Sequence, residues 1–166
     1  MQLNHYTTQF KERTFPITVV CDNVTNAPNV GSLFRVCDAF GVENLVFCGE
    51  HIPIGRKMTK TSRATEKVVN YNVVSDLKTE ILQLKEKGYT IVCLEITSNS
   101  LAIHDYKLQP NQKIALIIGD ENFGIHKDIL ELSDATLHIN MFGQNSSMNV
   151  VQATNIALYE FTKQLQ

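Results

Sequence analysis

The sequence predicts an α/β fold: a mostly parallel sheet with helices on both faces. Two observations carry this. Short apolar runs alternate with segments whose apolar residues recur at helical spacing. The runs are continuously apolar rather than alternating, the pattern of strands covered on both sides. In such sheets ligands sit outside the carboxyl ends of the strands, where loops turn into helices. The segments ending IALIIGDENFGI and beginning HINMFGQNSS each break from an apolar run at a Gly and expose small polar groups, so they are the first candidates for a site.

The elements follow in order. Residues 17–21 (ITVVC) are β-branched and apolar, a first strand. Residues 29–40 follow as a helix, with Val30, Leu33, Phe34 and Cys37 at helical spacing and Gly41 as a natural stop. Further strands are expected over 43–49, 67–74, 89–96, 113–119 and 135–140. Ser75 and Asp76 can cap a helix that runs to Lys87 and closes at Gly88. A short helix is expected over 126–132, and the last from near Ser147 to about Lys163. In that last helix Val150, Ala153, Ala157 and Phe161 form one stripe. Val151, Ile156 and Tyr159 lie off it, so the helix is expected to be buried on more than one side. Residues 97–112 are the longest irregular connection. No repeat, low-complexity segment or internal linker interrupts the pattern, so residues 1–166 read as one domain.

Composition narrows the class. The chain has 166 residues, 43% hydrophobic and 19% charged, the balance of an ordinary globule. No apolar run approaches the ~20 residues of a membrane span. The opening MQLNHYTTQFKERTF has no hydrophobic signal core, so secretion is not expected. Cys21, Cys37, Cys48 and Cys93 form no CxxC pair and read as buried reduced thiols, which fits a cytoplasmic protein. The five His residues show no metal-ligand spacing, so no metal is expected. Net charge is −2, but it is unevenly spread. Residues 55–67 (GRKMTKTSRATEK) hold Arg56, Lys57, Lys60, Arg63 and Lys67 against one acid; the rest of the chain carries 10 basic and 16 acidic residues. A helical turn would place Arg56, Lys60, Arg63 and Lys67 on one side. Two readings are open: a solvated surface segment, or a phosphate-binding patch on an acidic body.

The loop GDENFG (119–124) looks like a phosphate cradle, yet no Lys-Ser/Thr follows its second Gly, which excludes a Walker loop. No GxGxxG opens the first helix, so the dinucleotide fingerprint is absent. Asp120 and Glu121 would repel phosphate and suit a cationic ligand. Glu121 could equally complement the dipole of the next helix. Ser147 and Asn149 have the chemistry of helix N-caps.

Taken together, three segments resemble the motifs of the SpoU/TrmH group of SPOUT-class RNA methyltransferases. The first motif is matched by Asn26, Asn29, Gly31 and Arg35, followed by DAFG at 38–41. The second, Gly-x-Glu-x-x-Gly, is matched by Gly119, Glu121 and Gly124. The third is matched by Ile139, Met141, Gly143, Ser147, Asn149, Val150 and Ala153. Asn140 stands where the family has Pro, Met148 where it has Leu, and Val151 where it has Ser. KTSRATEKVV (60–69) resembles a further family segment, with Ala64 in place of the usual Gly. The resemblance runs from about Ile17 to the C-terminus.

The resemblance implies a C-terminal deep trefoil knot, a bound S-adenosylmethionine, and a homodimer with the first and last helices at its interface. By analogy the cofactor pocket is built from Glu95, Ile96 and Thr97; from Gly119, Asp120 and Glu121; from Ile139 and Met141; and from Ser147, Met148 and Asn149. These lie at the carboxyl ends of three expected strands. The implied reaction is methyl transfer to a ribose 2′-hydroxyl of RNA, with tRNA favoured and rRNA as the alternative. Arg35 matches the family's catalytic residue. A guanidinium with a pKa above ~12 is a poor base, so Arg35 is read as binding an RNA phosphate and polarising the hydroxyl; a structural ion pair is the other reading. Asn29 could orient the same group or cap the first helix. Arg35, Arg56, Lys57, Lys60 and Arg63 are the expected RNA contacts. No separate RNA-binding domain is expected. A knotted RNA-binding dimer without methyl transfer, and a nucleotide-sensing domain, are rival readings.

Overall fold

The structure is a computed structural model that describes residue 8 and residues 10–166. Residues 1–7 and 9, most of the stretch in which no signal core is found, lie outside the described residues. The elements are β1 (Phe15–Asp22), α1 (Ala27–Ala39), β2 (Val42–Cys48), α2 (Arg56–Ser62), β3 (Tyr71–Val74), α3 (Leu77–Glu86), β4 (Thr90–Leu94), β5 (Leu101–Ala102), β6 (Ile114–Gly119), α4 (Lys127–Leu132), β7 (Ala135–His138) and α5 (Val150–Leu165). The seven strands form one sheet in the order β3-β2-β1-β6-β4-β7-β5. Every strand pair is parallel, so the loops that leave β1, β4, β6 and β7 all emerge at one end.

The pleat sorts the core into two faces. Along β1, Ile17, Val19 and Cys21 point to the side covered by α1, α2 and α5, where Phe34, Met58 and Phe161 pack. Val20 points to the side covered by α3 and α4, with Ile81, Ile91, Ile117 and Ile129. Phe34, Phe47 and Phe161 are fully buried. Truncating any of them to Ala would cost about 3–5 kcal/mol.

Four local features depart from the expected pattern. Helix α1 starts at Ala27 with Asn26, not Asn29, as its N-cap: the Asn26 side chain accepts from the Asn29 N–H, and Pro28 sits in the first turn. The strand expected over 67–74 shrinks to β3. Thr65–Lys67 forms a 3₁₀ turn instead, pinned by Thr65 Oγ1 donating to the Ser62 carbonyl at 2.6 Å and Ser62 Oγ donating to Glu66 at 2.5 Å. The connection 97–112 contains β5, which adds to the sheet edge beside β7, and a 3₁₀ turn at Ile103–Asp105. In α5, Val150, Ala157 and Phe161 are buried as expected, but Ile156 and Tyr159 are 40% and 63% exposed. Within the single chain α5 is therefore covered on one side only.

Candidate active site

Three carboxylates shape the loop after β6. Asp120 Oδ1 accepts from the backbone N–H of Asn122 at 2.8 Å and of Phe123 at 3.1 Å, and the Gly124 N–H returns to the Asp120 carbonyl at 2.8 Å. The chain thus doubles back tightly. A Cβ on Gly119 would strike the backbone of Gly124 and Ile125, and one on Gly124, whose φ is +66°, would strike the Glu95 carboxylate. Glu95 is that close because it holds the loop: Oε2 accepts from the Ile125 N–H at 3.1 Å and Oε1 from the Ile96 N–H at 2.9 Å. On the far side, buried Asp22 at the end of β1 accepts from the His126 N–H at 3.0 Å and lies 2.8 Å from His126 Nδ1. The loop is clamped between β4 and β1.

Glu121 points out of this turn and meets the other two motifs. Its Oε1 accepts from Asn29 Nδ2 and, at 3.1 Å, from Asn149 Nδ2. Asn149 Nδ2 also reaches Asn29 Oδ1 at 3.1 Å, while Asn149 Oδ1 caps α5 by accepting from the Val151 N–H at 2.8 Å. Asn29 is free for this because Asn26 does the capping. Glu121 is accounted for by two amides rather than by the dipole of α4.

Beside this cluster lies a cavity of about 510 Å³. Glu95, Ile96, Thr97, Gly119, Asp120, Glu121, Ile139, Met141, Ser147 and Met148 all line it. Asn149 lies outside it, at an adjoining depression shared with Glu121, Ser147 and Met148. Further walls are Leu94, Ile118, Leu130, His138, Val150 and Ala153. Leu94, Ile118 and Leu130 are ordinary apolar residues that carry no signal of their own, while Val150 and Ala153 belong to the third motif. His138 is different: Nδ1 lies 3.0 Å from Ser100 Oγ and Nε2 lies 3.0 Å from Asn140 Oδ1, so Asn140, where the family has Pro, helps orient a ring that lines the cavity. Its signal was a polar residue at the end of an apolar strand, as was that of Asp22.

The basic residues are placed elsewhere. Arg56, Lys57, Lys60 and Arg63 are exposed, while Met58 and Ser62 anchor α2. The single basic face expected over 56–67 does not form. The helix stops at Ser62, because Arg63 and Ala64 take left-handed backbone with φ of 51° and 70°. Arg63 and Lys67 therefore leave the line set by Arg56 and Lys60. α2 packs closely on α1: a Cβ on Gly31 would collide with Thr61 and with the backbone of Met58 and Ser62. Arg35 is exposed on α1, and none of the ion pairs among the described residues engages it. It does not line the cavity.

Electrostatics separate the reactive from the inert groups. All four cysteines are buried and free; burial pushes the Cys37 and Cys21 thiols well up and the Cys93 thiol to about 12, so none is a nucleophile. His126 is raised above the ordinary imidazole value, first by its hydrogen bond to Asp22 and then by that carboxylate's charge. Among the described residues no group of three or more His, Cys, Asp or Glu could hold a metal ion.

Residues 16–159 match the model of the SpoU rRNA Methylase family. The chain is 30% identical over 157 residues to a tRNA (guanosine(18)-2'-O)-methyltransferase of Aquifex aeolicus, covering 93% of this chain and 72% of that one. It superposes with a TM-score of 0.83 on the A. aeolicus TrmH/SpoU tRNA modifying enzyme, at 28% identity and covering 92% of this chain and 77% of that one. The SpoU methyltransferase AviRb from Streptomyces viridochromogenes, in complex with the cofactor AdoMet, shares the fold at a TM-score of 0.81 and 23% identity, over 97% of this chain and 64% of that one. Of three mycobacterial relatives the chain spans about half, 51% of their length.

Proposed function

The chain belongs to the SpoU rRNA methylase family, and from that premise we propose that it transfers the methyl group of S-adenosylmethionine to a ribose 2′-hydroxyl of RNA, tRNA ahead of rRNA. The observation that carries this is the meeting of Asn29, Glu121 and Asn149, from three separate segments, beside a cavity of about 510 Å³. That size lies within the usual range for small-ligand sites. The preference for tRNA rests on the activity of the Aquifex relative.

The residues present fit the cofactor. Leu94, Ile118, Leu130, Ile139 and Met141 offer apolar walls to a purine, Thr97 and Ser147 offer hydroxyls, and Asp120 and Glu121 offer negative charge to a sulfonium and an ammonium. When bound, the cofactor supplies a methyl group already made electrophilic by positive sulfur. What remains for the protein is to align the ribose oxygen and take its proton away. The fixed loop after β6 and the Asn29–Glu121–Asn149 cluster give the cavity rim one shape. Arg35 lies about 9 Å along α1 from Asn29 by helical rise and outside the cavity. It thus meets the hydroxyl only when RNA, or α1 of a second subunit, brings the two together. There it holds an RNA phosphate and polarises the hydroxyl, whose proton leaves through the guanidinium or to that phosphate. Arg56, Lys57, Lys60 and Arg63 take further phosphates.

We read the protein as a homodimer through α1 and α5. The exposed Ile156 and Tyr159 support this, since a second copy would cover them. The placing of β7 between β4 and β5 supports a knotted C-terminal segment. Residues 1–166 are taken as one methyltransferase domain, acting in the cytoplasm; the buried free thiols fit a reducing compartment. No helix of the described residues is long and apolar enough to cross a membrane. The test is methyl transfer from labelled S-adenosylmethionine to purified tRNA and, separately, rRNA, with calorimetry for the cofactor and its demethylated product and light scattering for the mass. Labelled 2′-O-methyl ribose is expected in tRNA. Folded protein that binds neither compound would overturn the reading.

A further inference from the structure

The loops around the cavity present two phenylalanines to solvent. Phe123, in the turn after β6, is 83% exposed, and Phe142, in the segment after β7, is 96% exposed. Phe123 lines the cavity, and Phe142 directly follows Met141, which also lines it. Neither ring contributes to the core, so its place at the rim needs a partner to explain it. The surrounding surface is short of positive charge. Asn140, Gln144, Asn145, Ser146 and Ser147 are exposed amides and hydroxyls, no Lys or Arg falls between Lys127 and Lys163, and around Phe123 the acids Asp120 and Glu121 precede the ring while Lys127 behind it pairs with Glu131. That chemistry repels phosphate. It suits an unpaired nucleobase, whose faces stack on aromatic rings and whose edges bond to amides.

The cations that suit phosphate are on the opposite side of α1. Asn29 bonds to Glu121 at the rim, while Gly31, about 200° around the helix, packs on α2. We infer that Phe123 and Phe142 form a stacking platform for unpaired bases of the RNA beside the nucleotide presented to the cavity, while α2 takes the backbone. The identity of the partner as RNA rests on the methyltransferase reading; the platform itself rests on exposure and charge.

The chain contains no Trp, so Phe142→Trp and Phe123→Trp each introduce a single emission reporter. The probes are unfractionated tRNA, ribosomal RNA and a fully paired RNA duplex. Saturable quenching by tRNA or rRNA, and not by the duplex, is expected. In parallel, Phe142→Ala should raise KM for RNA roughly 10-fold and leave the affinity for S-adenosylmethionine unchanged; Phe142→Tyr should restore KM. Emission unmoved by either RNA, or quenched equally by the duplex, overturns the platform. So does weaker cofactor binding in Phe142→Ala, which would make the ring a cofactor lid, or a change of mass in light scattering, which would make it a subunit contact. Quenching by an enzyme that transfers no methyl group would leave the platform standing and sink the methyltransferase reading instead.

Discussion

The cavity rim and helix α2 touch opposite sides of α1 and are built by opposite means. The rim is made of backbone turns, amides and carboxylates, each tied by hydrogen bonds to a distant element: Glu95 to Ile125, Asp22 to His126, Asn29 to Glu121. α2 is anchored by Met58, Ser62 and the close approach at Gly31, and leaves Arg56, Lys57 and Lys60 in water. Under the proposed function the difference follows from what each would recognise. One defined ligand geometry needs groups fixed from several directions, whereas phosphate backbone needs only a local density of positive charge. Changes at the rim should therefore alter the reaction or cofactor binding, and changes on α2 should alter salt dependence.

Arg35, which belongs to neither region, should give the largest effect. Arg35→Ala is expected to lower methyl transfer about 100-fold or more with cofactor affinity and thermal unfolding unchanged; retention of full activity would remove its catalytic role. Glu95→Ala comes next. It strips the buried Ile125 N–H of its acceptor, costing about 1–3 kcal/mol in the loop, so calorimetry should show cofactor binding roughly 10- to 100-fold weaker. Replacing Lys60 and Arg63 with neutral residues should weaken RNA binding and flatten its log–log salt slope by about one unit for each phosphate no longer neutralised. Activity at saturating RNA should recover, because binding common to ground and transition states was removed. An unchanged slope would make α2 a plain solvated surface and abolish the contrast.

Two smaller effects sharpen it. Ala64 has φ of 70°, a left-handed conformation that disfavours a side chain. Ala64→Gly, the residue usual at that place in the family segment, should stabilise by up to about 1 kcal/mol, or a few degrees in Tm. His126 should make stability depend on pH. Its raised pKa means that the charged pair with Asp22 contributes fully below the ordinary imidazole value of about 6.5 and is lost as pH rises through the raised folded value. The Tm difference between wild type and His126→Gln should be widest below about pH 6.5 and narrow as pH rises through the raised folded value. A difference independent of pH would show that only the neutral hydrogen bond counts.

The order of strands and helices was legible in the sequence because apolar period, Gly stops and caps act over a few residues. Asp76 capping α3 and Gly88 beyond its end are cases in which local chemistry alone suffices. The motif residues were legible as types, since Gly119 and Gly124 mark a turn that tolerates no side chain. Local reasoning failed where distant contacts compete. Asn29 has the chemistry of a cap, but Asn26 takes that place, and the basic run has the spacing of one helical face although the chain turns left-handed at Arg63 and Ala64. By itself the sequence determined an α/β chain with glycine loops at strand ends and a basic segment apart from them. Only the tertiary structure decided that β6 lies between β1 and β4, that β5 completes the edge beside β7, and that Asn29 meets Glu121 across 92 residues and Asn149 across 120. The reason is that sheet order and side-chain pairing at such separations come from burying two apolar faces together, and no local period encodes which faces those will be.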